Sequence, residues 1–234
     1  MTDFQNVFEE RANYSRSRLE EVSATIANLE ELKAFDGLTV FSAGSFARYE
    51  ASEYSDIDMF FLCMNSREGQ IEPHTKELKL FGKMIDVVDK LSFPKFSGDC
   101  KYLNILNIDE ILKHLGSPTD DHMNYFTARM LLLLESKCLF GEDVYKNVIS
   151  NIVRSYFVDY PDHSETFQPI FLLNDICRFW KTLLLNYENK RNRSECSDTE
   201  KIKQKVKNFK LKFSRMTTCF ATISALGSYN APVS

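Results

Sequence analysis

Apolar residues recur at helical spacing over residues 4 to 35, where Phe8, Ala12, Leu19, Val22, Ile26, Leu29 and Leu32 stand among Glu and Arg. That periodicity predicts an amphipathic helix, and Asp36-Gly37 ends it. The pattern then changes. LTVFSAG, residues 38 to 44, is apolar and β-branched before a small-residue turn, and reads as a strand. IDMFFLCM, residues 57 to 64, is almost continuously apolar and predicts a strand covered on both faces. Residues 65 to 75 are polar and carry Gly69 and Pro73, which marks a connection. Residues 76 to 82 are expected as an edge strand and KMIDVVDKL, residues 83 to 91, as a further strand. Beyond a loop with Pro94 and Gly98, NIDEILKHLG predicts a short helix, capped by Asn107 or Asp109 and stopped by Gly116.

After GSPTDD the texture becomes helical. Residues 121 to 138 carry Met123, Phe126, Met130, Leu133 and Leu134 on one side. Residues 142 to 157, 169 to 190 and 200 to 226 follow with helical periods. In the third of these, Leu172, Leu173, Ile176, Trp180, Leu183, Leu184 and Tyr187 form one stripe; in the last, Ile202, Val206, Phe209, Phe213 and Phe220 form another with the lysines off it. The expectation is an α+β domain over 1–117 followed by a helical bundle domain over 118–234.

Composition narrows the function only slightly. The 234 residues are 44% apolar and 26% charged, enough for one large core or two small ones. The net charge of −4 is unevenly spread, with eleven basic against four acidic residues from Lys181 to Arg215. Such a run reads as a solvated helix face or as a surface that meets phosphates. The six cysteines are dispersed without a C-x-x-C pair, and the four histidines are equally scattered. That spacing argues against a zinc site and a disulfide framework. The N-terminal MTDFQNVFEERANY is acidic and amphipathic, unlike a secretory signal, and apolar runs such as Met130 to Leu134 are too short to cross a bilayer. A reducing, cytoplasmic home and no membrane partner are expected.

The chemistry concentrates in AGSFARYEASEYSDIDMFFL, residues 43 to 62. Side chains alternate along a strand, so Asp56 and Asp58 face one way and Ile57 the other, ~6.7 Å apart along the backbone. Two carboxylates at ~4 Å repel by ~4 kcal/mol at an effective dielectric of 20 unless a cation lies between them. Oxygen ligands favour Mg²⁺. If residues 83–91 form a strand beside 57–64, Asp86 reaches the same cluster, with Asp89 as the competing choice. Gly44-Ser45 closes the first strand and opens FARYE, expected to be helical; its free N–H groups and the Ser45 hydroxyl suit a phosphate. A plain Gly-Ser turn is the alternative for that pair taken alone. Arg48 stands one helical turn on, where it meets phosphate or acceptor, or else forms a salt bridge to Glu50 or Glu53.

GS, a ten-residue gap, DID and a later IDVV together resemble the signature of the nucleotidyltransferase superfamily to which DNA polymerase β belongs. The string GSFARYEASEYSDIDMFFL looks more like the bacterial branch of PII-protein uridylyltransferases, their relatives and the small antitoxin nucleotidyltransferases. RMLLLLESKCLFGEDVY and LLNDICRFWKTLLLNYENK resemble the helical region that follows the catalytic domain in some of these proteins. The resemblance implies a nucleotidyltransferase fold in which Asp56, Asp58 and Asp86 hold two Mg²⁺ ions and serve catalysis. It implies that Gly44 and Ser45 hold the β/γ phosphates while an NMP passes from an NTP to a hydroxyl and pyrophosphate leaves. ATP or UTP is the expected donor.

On the helix over 169–190, Asn174, Arg178 and Lys181 recur opposite the apolar stripe. They read as an exposed polar face or as contacts to base or triphosphate. Arg178 and Lys181 are the nucleotide-binding candidates there. Tyr187 as a stacking residue, and Lys207, Lys210 and Arg215 as triphosphate contacts, complete the set. A protein hydroxyl is the first choice of acceptor, with an RNA end as another. The alternatives are synthesis of a signalling, cyclic oligonucleotide, a regulatory module that binds nucleotide without turnover, and a helical interaction scaffold.

Overall fold

The computed structural model describes residues 3–64, 74–96, 103–192 and 198–228. The connection expected around Gly69 and Pro73, and the Gly98 end of the next loop, lie outside these residues. The chain divides into two compact units, Met1–Ile152 and Val153–Ser234.

The first unit is α+β. Helix α1 spans Asp3–Ile26 and the short α2 Glu30–Lys33, so the expected first helix breaks once before residue 35. Strand β1, Leu38–Ala43, is buried along its whole length, as its β-branched, apolar residues demand. A single turn α3, Gly44–Ala47, leads on to strand β2, Asp58–Cys63. Helix α4 covers His74–Lys90, strand β3 Ile105–Asn107 and helix α5 Ile108–Lys113. Asn107 is the cap of α5: its Oδ1 accepts the N–H of Asp109 at 2.8 Å and of Glu110 at 3.2 Å. Helices α6, Pro118–His122, and α7, Tyr125–Leu134, precede strand β4, Ser136–Phe140, and helix α8, Glu142–Tyr156.

The sheet runs β3-β2-β1-β4, with β1 antiparallel to both neighbours and β3 parallel to β2. One face carries Leu38, Val40, Met59, Phe61 and Leu139 into a core with Leu19, Val22 and Ile26 of α1 and Leu80, Met84, Val87 and Val88 of α4. In the turn after β4, Gly141 is required twice over. Its φ is +74°, and a Cβ there would stand 2.4 Å from the Leu38 carbonyl oxygen. The pair Asp120–Arg129 joins α6 to α7 through two 2.8 Å hydrogen bonds, both side chains fully buried.

Three expectations are corrected. Residues 76–90 are helical, because Leu80, Met84, Val87 and Val88 form a single helical stripe that the core buries. The helix expected over 121–138 is interrupted at Asn124, whose φ is 59°, and yields to β4 at its end. Because β4 pairs with β1, the first unit extends to Ile152, beyond the boundary expected at 117.

The second unit contains α9, Ile170–Arg191, and a continuous helical stretch made of α10, Asp198–Lys210, a π-helical turn, Leu211–Arg215, and α11, Met216–Gly227. Leu172, Ile176, Phe179, Leu211 and Cys219 are buried. Trp180 of α9 meets Phe220 of α11 edge to face at 6.3 Å. The stripe Ile202, Val206, Phe209, Phe213 and Phe220 is exposed along its length. Among the described residues no helix is long and apolar enough to cross a membrane.

Candidate functional site

The Gly-Ser turn and the start of β2 lie at one end of the sheet. Ala43, the last residue of β1, pairs with Asp58, the first of β2, and on its other side with Ser136, the first of β4. Gly44 therefore leaves the sheet between two strand starts. It has φ +71°, and a Cβ built there would lie 2.8 Å from Asp58 Oδ2. Only a residue without a Cβ allows both the left-handed backbone and this approach. The Asp58 carboxylate thus lies directly against the turn.

Asp56 precedes β2 but keeps its alternation: Asp56, Asp58 and Phe60 are half-buried, while Ile57, Met59 and Phe61 are in the core. Their alternating burial follows the period of a strand. The loop that delivers them is fastened locally. Ser55 N–H donates to the Ser52 carbonyl at 2.9 Å, and Ser52 N–H to Ser55 Oγ at 3.0 Å. α3 is a single turn of four residues, GSFA, shorter than the helix expected for FARYE, and so contributes little macrodipole. Phe46 anchors it, packing on Phe93 at 5.4 Å and Tyr14 at 6.3 Å.

Asp86 does not join this cluster. It lies on the outer face of α4, its side chain 70% exposed and 3.4 Å from Lys83 one turn away. Asp89 is exposed on the same helix. The expected third carboxylate depended on a strand at 83–91, and the helical stripe turns both aspartates to solvent. Among the described residues no group of three His, Cys, Asp or Glu is placed to hold a metal ion.

Arg48 shows the salt-bridge alternative. Its Nε lies 3.1 Å from Glu50 Oε2, and Nη1 pairs with Glu135 Oε2. The second partner was not legible as such, because Glu135 becomes a neighbour only through β4. In the second unit, Asn174 and Lys181 are exposed on α9, matching the polar-face reading. Arg178 is half-buried and 3.3 Å from Asp175, a buried carboxylate that also accepts the Tyr156 hydroxyl at 2.6 Å. Lys207 and Lys210 are exposed, whereas Arg215 and Tyr187 are half-buried.

Two thiols, Cys138 and Cys219, are poor candidates for chemistry. Burial pushes Cys138 on β4 up to about 12, assisted by its hydrogen bond to Glu142, and Cys219 up to about 11. A thiol held in that state is not a nucleophile near neutral pH.

No protein-family model matches the chain, and no curated protein matches it. The site is read from its own geometry.

Proposed function

We propose that Gly44, Ser45, Asp56 and Asp58 form the active site of a Mg²⁺-dependent nucleotidyltransferase, built on a nucleotidyltransferase fold. It transfers an NMP from an NTP, ATP or UTP first, to a hydroxyl, with a protein hydroxyl as the first choice of acceptor. The observation that carries the reading is the contact of Asp58 with the Gly44 backbone. It sets a carboxylate against the main chain of the turn at one sheet end, the two elements a metal–triphosphate complex needs side by side.

The donor set suits the cation. Mg²⁺ is held through one or two carboxylates, with waters and substrate phosphates completing the shell, so Asp56 and Asp58 suffice without a third. When bound, the ion neutralises phosphate charge and polarises the phosphorus for in-line displacement. The chain's own residues position. Asp56, just before β2, and Asp58, its first residue, would hold the ion and so orient the triphosphate. Gly44 lets the phosphates approach the main chain, and the Ser45 hydroxyl donates to a phosphate oxygen. Held geometry of this kind supplies much of the barrier reduction in phosphoryl transfer.

A second reading, nucleotide binding without turnover, is favoured by the position of Asp86 on the exposed face of α4. One experiment separates the two. The full chain is incubated with each α-labelled NTP and Mg²⁺, with and without candidate protein acceptors and RNA. Pyrophosphate release, label transfer and nucleotide affinity are followed for wild type and Asp58→Asn. Release that Asp58→Asn abolishes supports transfer, and a labelled oligonucleotide product redirects it to signalling-molecule synthesis. Asp58-dependent binding without release supports the regulatory module. Neither release nor any change of affinity on Asp58→Asn removes both.

A further inference from the structure

Arg48 is the nearest cation to the Gly-Ser turn along the chain, and a phosphate role for it is the obvious guess. The structure places it differently. Its side chain is 9% exposed and it faces two carboxylates, Glu50 and Glu135, the latter 2% exposed. The guanidinium charge is already matched by carboxylates, which weakens its pull on a phosphate.

The cluster sits where it can hold the turn. Arg48 is the residue that ends α3, and its N–H donates to the Gly44 carbonyl at 3.1 Å. Glu135 is the single residue between α7 and β4, at φ −150°, ψ 59°, outside both the helical and the extended regions. Ala43 pairs with Ser136, so Glu135 is rooted beside the very strand end from which the turn departs. The exit from the turn is fixed in the same manner. Tyr49 has φ 60° and lies between Arg16, at 4.8 Å from its ring, and Lys137, at 5.0 Å. Ala51 N–H donates to the buried Ser15 Oγ of α1 at 3.1 Å.

We infer that Glu135 is a positioning residue: through Arg48 it fixes the Gly44–Ala47 turn in the conformation that meets Asp58, and Arg48 is a strut rather than a phosphate ligand. The inference rests on the proposed nucleotide site for its consequence, and on the ion pair alone for its structural half. Neutralising Arg48 removes the cation that both carboxylates face, and neutralising Glu135 leaves Arg48 held on this side only by the partly exposed Glu50, so the turn loosens in either case. Restoring the pair with its polarity reversed restores the turn.

The test uses the full chain and four variants: Glu135→Gln, Arg48→Gln, Glu50→Gln, and Arg48→Glu with Glu135→Arg on the Glu50→Gln background, which removes the like-charged neighbour that a carboxylate at position 48 would otherwise meet. Amide exchange is read at residues 48–50, whose N–H groups bond back to Gly44, Phe46 and Ser45. Affinity for Mg²⁺ with ATP and with UTP is read by calorimetry. Glu135→Gln and Arg48→Gln are expected to speed exchange at 48–50 and weaken nucleotide binding by about tenfold or more, with protection in α4 unchanged. The reversed pair is expected to recover most of both relative to Glu50→Gln. Unchanged exchange in Glu135→Gln overturns the strut. Faster exchange with wild-type affinity overturns the positioning role. Restored exchange without restored binding in the reversed pair identifies Arg48 as a ligand after all. If wild type binds neither nucleotide, the proposed function fails and takes the positioning role with it, while exchange still decides the strut.

Discussion

Gly44→Ala is the substitution that most directly strains the proposed site. Two effects are separable. At φ +71° a residue with a Cβ pays about 1–2 kcal/mol for the left-handed backbone. The new Cβ also stands 2.8 Å from Asp58 Oδ2, closer than non-bonded atoms approach. That oxygen is the far end of a rotatable side chain, so the carboxylate swings aside and the strand stays. The stability cost is therefore close to the backbone term alone, and the melting temperature of a chain of 234 residues falls by roughly 2–8 °C. The displaced carboxylate is one of the two proposed to bind the cation, so Mg²⁺-dependent transfer falls by more than about tenfold. Gly82→Ala is the matched control. It lies inside α4 with nothing within 4 Å of a built Cβ, and there the same change stabilises by about 0.5–1 kcal/mol. Urea denaturation, thermal melting and a pyrophosphate-release assay read both variants. Unchanged melting for Gly44→Ala would refute the backbone argument. Lowered melting with unchanged transfer would refute the role given to the Asp58 contact.

Met84 and Asp86 test the helix that replaces an expected strand. Met84→Ala should cost about 2–5 kcal/mol in urea because the side chain is fully buried, whereas Asp86→Ala should stay within about 0.5 kcal/mol and leave nucleotide affinity and transfer intact. A large loss of activity at Asp86 would contradict its solvent-facing position. The buried Asp120–Arg129 pair should behave asymmetrically: Asp120→Ala costs about 3–5 kcal/mol, while Asp120→Leu with Arg129→Met recovers most of the loss. An Asp120→Ala cost below about 1 kcal/mol in urea would show that the pair carries no buried charge.

The parts of the fold that could be read were those whose evidence is local. β1 is buried along its whole length and β2 over most of it, and their near-continuous apolar runs say so. The meeting of Gly44 with Asp58 needs only an antiparallel return over a short loop, and the period-two spacing of Asp56 and Asp58 survives into the structure. α4 was misread for a specific reason. IDVV taken by itself has strand composition, and dividing the segment at residue 82 separates Leu80 from Met84, Val87 and Val88, which together form one stripe. β4 was hidden because LLLLESKCLF is apolar on both sides of its break. The break is made by the backbone of Glu135 rather than by Gly or Pro.

Periodicity also identifies faces without saying which one is inside. Ile202, Val206, Phe209, Phe213 and Phe220 keep helical spacing, yet the residues buried along the same stretch are Leu211 and Cys219. The same limit governs Arg48. A window around it offers Glu50 and Glu53 as partners, and the structure honours Glu50. The carboxylate that buries it, Glu135, is 87 residues away. It is invisible until β4 is recognised as a strand paired with β1. A missed strand thus became a missed ion pair, and a residue that looked like a phosphate ligand from nearby sequence takes on a different job once its distant partner is in place.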